Sequence, residues 1–169
     1  MRFFLKPVTS LLVAVALFAL MASQSTAQGI VKSTHGDWQL VCDTPAGAPR
    51  EQCALMQTLI DKNRPELGLN LLVIRTLDRE NEYLRIQTPL GVLLPFGVGL
   101  VVDGKDFGRA YFVRCFQDGC YVEVELRGEL LKTLQAGSQA YLSVFPTPEE
   151  GVGFPVDLNG FSEGYSRIP

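Results

Sequence analysis

Four cysteines are the residues best placed to do chemistry: Cys42, Cys53, Cys115 and Cys120. Four thiolates suit a zinc ion, but neither close pair has CxxC spacing. An even count in an exported chain points to disulfides instead. Acid–base and nucleophilic candidates are sparse. The single histidine, His35, lies eight residues past Ala27 and reads as an exposed arm residue. No GxSxG occurs, and Ser138, Ser143, Ser162 and Ser166 have no histidine near them in sequence. Glu149-Glu150 falls in a "TPEEG" turn, and Glu123 with Glu125 falls on the wet face of a strand. "VDGKD" lacks calcium-loop spacing. Gly91, Gly97 and Gly99 are spaced by apolar residues with no Lys-Ser or Lys-Thr to hold a phosphate. The pattern therefore predicts no catalytic, cofactor-binding or metal-binding residue.

The amino end decides which cysteine chemistry applies. Arg2 and Lys6 precede an apolar run from Leu11 to Met21, and Ser25-Thr26-Ala27 supplies small residues for cleavage. This is the pattern of a signal peptide over 1–27, leaving one domain over 28–169 in the periplasm or medium. No cysteine stands at the cleavage site to take a lipid. Loss of residues 1–27 removes two basic groups and no acid, so 13 Lys and Arg face 18 Asp and Glu, net −5. That sign disfavours nucleic acid and anionic lipid, which reward clustered basic residues.

The elements that must carry these residues alternate with a period of two. Cys120, Val122, Val124 and Leu126 oppose Tyr121, Glu123, Glu125 and Arg127. Similar phases run through "GDWQLVCD", "EQCALMQTLI", "YLRIQT", "SQAYLSVF" and "GVGFPVDL", with Pro155 marking an edge. "LNLLVIRTL" alternates poorly and suits a strand covered on both faces. Only "GELLKTLQAG" reads as a helix, from Leu126, Leu130 and Leu134 at steps of four. Short strands between Gly-, Asn-, Asp- and Pro-rich turns predict an all-β chain: an antiparallel, immunoglobulin-like β-sandwich with one short helix. Strand phase sets Cys115 opposite Cys120 across a hairpin loop Phe116–Gly119, which leaves Cys42 to pair with Cys53.

Between Arg85 and Asp103 lie 17 uncharged residues, ten of them Ile, Leu, Val or Phe. Pro89, Pro95, Gly91, Gly97 and Gly99 preclude a membrane-spanning helix. Two buried strands meeting at Leu94-Pro95 fit better, with Val98, Leu100 and Val102 on one face. The bend Leu94, Pro95, Phe96 is then the candidate partner surface, presenting Leu94 and Phe96 outward. A small outer-membrane barrel matches the length, but two disulfides, frequent charges and irregular strand lengths oppose it.

"GDWQLVC", "PLGVLLPFGVGLVVDG", "FVRCFQDGCYVEVEL", "LLKTLQAG" and "DLNGF" occur in this order from Gly36 to Phe161. Together they resemble the invasion-associated locus B family of exported bacterial proteins. The resemblance implies a periplasmic or secreted β-sandwich, associated in some pathogens with host-cell invasion. It supplies no catalytic residues. The expected function is an envelope binding or accessory module, with a protein or glycan of the envelope or host surface as partner. The alternative is a histidine-independent, carboxylate-based glycan hydrolase.

Overall fold

The computed structural model describes residues 29–169. The expected signal peptide, 1–27, lies outside the described residues. Eleven strands follow: β1 Ile30–His35, β2 Trp38–Asp43, β3 Gln52–Leu59, β4 Leu69–Arg75, β5 Glu82–Thr88, β6 Val98–Val102, β7 Lys105–Ala110, β8 Phe112–Phe116, β9 Gly119–Glu125, β10 Gln139–Val144 and β11 Val152–Asp157. Helix α1, Gly128–Ala136, follows β9, and helix α2, Phe161–Ser166, follows β11.

A seven-stranded sheet in the order β1-β2-β3-β4-β5-β9-β8 faces a four-stranded sheet in the order β11-β10-β6-β7. The first five strands follow the chain as hairpins. The likeness to an immunoglobulin domain therefore lies in packed antiparallel sheets, not in connectivity.

Alternation puts Leu55, Leu71, Val73, Ile86 and Val122 of the large sheet in the core. Val98, Val102, Leu142, Val144 and Phe154 meet them from the small one. Each face is apolar because burying it is the main favourable term in folding. β4 follows the same rule after all: Leu69, Leu71 and Val73 are buried, while Asn70, Leu72 and Ile74 are half-covered on the outer face.

Three expectations about local structure need correction. The apolar stretch contains one strand, not two. β5 ends at Thr88, and Leu94–Phe96 forms a single 3-10 turn before β6. Pro95 in the first turn suits that start, and Gly97 (φ 61°) follows it with no room for a Cβ, which would lie 2.5 Å from the Ala110 oxygen. The hairpin at Cys115–Cys120 is tighter than expected, since Phe116 already pairs with Gly119. A second helix, α2, closes the open end of the core with Phe161, which meets Trp38 edge-to-face at 5.0 Å.

Candidate functional site

The expected partner surface divides within three residues. Leu94 is 43% exposed and Pro95 is exposed, as anticipated. Phe96 is half-buried: its ring lies 5.3 Å from that of Phe145, and its carbonyl accepts a hydrogen bond from Arg109 Nη1 at 3.2 Å. The Arg109 guanidinium also stands 4.7 Å from the Phe145 ring centre. Phe96 thus holds the turn to the sheet, and Leu94 and Pro95 are what it presents.

The surrounding surface extends this patch. The residue after β7, Tyr111, lies beside Gly97 and is 65% exposed. A shift of register between Phe112 and Arg114 turns only Phe112 toward the core. Val113 and Phe116 are left in solvent, on a strand with no neighbour beyond it among the described residues. The bulge breaks the alternation along this strand. Leu90 and Leu94 on the β5–β6 connection, Tyr111 between β7 and β8, and Val113 and Phe116 on β8 are all exposed, and Tyr111 lies against the Gly97 that follows the Leu94–Phe96 turn.

Both disulfides form as expected, Cys42–Cys53 and Cys115–Cys120. Each joins directly opposed residues of neighbouring strands. Glu51 brings a carboxylate within 4.8 Å of the Cys42 and Cys53 sulfurs, but bonded sulfurs offer no thiolate to a metal.

His35 is not an exposed arm residue. Its side chain is 8% exposed, on the inner side of the first hairpin. Nε2 lies 2.9 Å from Ser33 Oγ, and Nδ1 lies 3.1 Å from Glu163 Oε1. This is the bond order of a serine–histidine–acid triad, with the burial inverted. A working triad buries the acid and opens the serine to a cleft. Here Glu163 is 64% exposed, His35 is enclosed by α2, and neither of the two large surface clefts includes Ser33 or His35. The arrangement satisfies both ring nitrogens and ties β1 to α2.

Three of the four acids that neighbour one another in sequence are engaged in ion pairs. Glu123 binds Arg85 at 2.8 Å and Arg114 at 3.1 Å, Glu125 binds Arg127 at 3.1 Å, and Glu150 binds Arg64 at 2.9 Å. Asp37 and Asp157, which sequence reasoning passed over, line one groove at the seam of the sheets. Their 120-residue separation in the chain gave no signal.

A model of the invasion associated locus B (IalB) protein family matches residues 38–169. The chain belongs to that family. The solved structures similar to it include a crystal structure of invasion associated protein B from Bartonella henselae. That structure shares 22% identity and a TM-score of 0.64, over 80% of this chain and 93% of the other. At this identity the likeness speaks for the fold alone, the two-sheet sandwich; the paired cysteines are this chain's own. No individually curated protein sequence matches. No helix among the described residues is long and apolar enough to cross a membrane.

Proposed function

We propose that this IalB-family protein is an exported binding or accessory module of the cell envelope, acting through surface contacts and without catalysis. The observation that carries this reading is the exposure of Leu94 on the turn before β6, of Tyr111 beside that turn, and of Val113 and Phe116 on the edge strand β8. Soluble domains seldom leave several apolar side chains exposed along an open strand edge unless a partner covers them. Two disulfides support an oxidising compartment, the periplasm or the medium. The name of the Bartonella neighbour supports a host-surface partner.

The test compares two aspartates. Leu94→Asp, at an exposed site, should leave thermal unfolding unchanged and abolish binding to isolated envelope fragments and to host-cell surfaces. Leu100→Asp, in the core, should cost several kcal/mol, on the order of 3–5, as an unpaired buried charge does. Full binding by folded Leu94→Asp and Val113→Asp proteins would remove this surface from consideration.

One observation favours a second reading, a histidine-independent glycan hydrolase: Asp37 and Asp157 share a groove. Release of reducing ends from purified peptidoglycan by the wild type, lost in Asp37→Asn, would establish it.

A further inference from the structure

A groove of about 920 Å³ crosses the seam of the sandwich, between β2 and the end of β3 on one side and β10 and β11 on the other. It is separate from the apolar patch along β8, and its walls have three properties that together specify an occupant.

The first is unpaired main chain. The ladder between β2 and β3 stops at Gln39 opposite Met56, yet β3 runs on to Leu59. Gln57, Thr58 and Leu59 therefore pair only with β4. β11 pairs only with β10, and Pro155 stands on it without a donor. Two strand edges border the groove, and the Trp38 indole takes one of their carbonyls, that of Asp157, at 2.8 Å.

The second is an orphaned acceptor. Gln57, in the groove wall, is 5% exposed, and its Oε1 has no hydrogen-bond partner among the described residues. Enclosing an amide oxygen without a donor is costly, and native folds rarely leave one so.

The third is charge. Asp37 and Asp157 are the charged residues of the wall, with no lysine or arginine among them, while Val41, Met56, Ile60 and Pro155 give it apolar ground. Phe154 is the aromatic residue there, and at 1% exposure it offers no ring face for a sugar to stack on.

We propose that this groove binds an extended peptide segment of alternating apolar and basic residues. An extended chain sets main-chain groups along a strand edge and projects side chains with a period of two. Its apolar side chains meet Met56 and Ile60, its basic ones meet Asp37 and Asp157, and one of its donors satisfies Gln57. Strand-edge groups favour a peptide backbone over a glycan, and the acidic wall selects its charge.

The probe is a fluorescent, end-blocked hexapeptide of alternating valine and lysine, set against a valine–glutamate hexapeptide and chitohexaose. The wild type should bind the valine–lysine peptide alone, shifting the amide resonances of Thr58, Ile60 and Gln139. Asp37→Lys should weaken that binding roughly tenfold or more without lowering Tm. Gln57→Leu should weaken it while Tm of the free protein holds or rises, because an unpartnered acceptor has been removed. No binding of the valine–lysine peptide, equal binding of both peptides, or groove shifts with chitohexaose alone would each overturn the proposal. So would a Gln57→Leu protein that is destabilised yet binds normally, the result for an ordinary structural amide.

Discussion

The Trp38 indole Nε1 donates to the main-chain oxygen of Asp157 at 2.8 Å, across 119 residues of chain. This bond joins the second strand of the large sheet to the edge strand of the small one. Asp157 also lines the seam groove, and Phe161 covers the Trp38 ring. Trp38→Phe keeps the aromatic packing and leaves the Asp157 carbonyl without its donor. The expected loss is about 1–3 kcal/mol in urea unfolding, and a smaller loss than for Trp38→Ala, about 3–5 kcal/mol.

The two disulfides differ in access. Cys42 and Cys120 are buried, Cys53 is half-buried, and Cys115 is exposed on an edge strand. Dilute reductant should therefore open Cys115–Cys120 before Cys42–Cys53, as timed alkylation and peptide mass mapping would record. Replacing either pair with alanine should cost about 2–3 kcal/mol by the chain-entropy model. Simultaneous opening of both bridges would mean that global unfolding, not local access, controls reduction.

Alkaline pH should act through Tyr165. Its hydroxyl bonds to Glu82, and burial first, then that hydrogen bond and the Glu82 charge, push its pKa up to about 12. The folded phenol thus resists ionisation that the unfolded chain, near 10, undergoes freely. Stability from this group is intact below pH 10 and is lost as pH rises from there toward 12. Tyr165→Phe should flatten that part of the stability–pH curve, as measured by denaturant midpoints at pH 9, 10 and 11.

Ser33, His35 and Glu163 offer a direct check on catalysis. A fluorophosphonate probe should leave Ser33 unlabelled, because the histidine is enclosed and the acid lies in solvent. Glu163→Gln should change stability by less than about 1 kcal/mol, the usual worth of an exposed pair. Labelling at Ser33 that disappears in His35→Gln would instead make this trio a working nucleophile.

Where one residue's neighbours in sequence decide its surroundings, the chain was readable. β9 buries Cys120 and Val122 on either side of half-exposed Tyr121, Pro155 falls on an edge, and the Asp103-Gly104 pair (φ 45° and 82°) makes the tight turn between β6 and β7. Legibility failed where distant segments meet. His35 looked peripheral because its cover, α2, arrives more than 120 residues later. Phe161, Tyr165 and Ile168 stand at steps of four and three, but two glycines and two serines between Asn159 and Arg167 weaken that helical pattern. Of the bend, Leu94 is exposed as expected, while Phe96 is half-buried rather than outward, since Phe145 and Arg109 come from other strands and loops. The groove left no trace in sequence, because it is made by β3 outrunning β2.

The Trp38–Phe161 contact also imposes an order of events. As the chain is made, the hairpin of residues 30–43 appears first, while Trp38 and His35 take part of their cover from Asp157, Phe161 and Glu163, near the other end of the described residues. Until those last residues are available, one side of the first hairpin lacks its cover. Such long-range closure is slow and leaves apolar strands exposed meanwhile. The interval between synthesis and closure is therefore the time at which this protein most needs a chaperone, and a chain stopped before residue 157 should aggregate rather than fold.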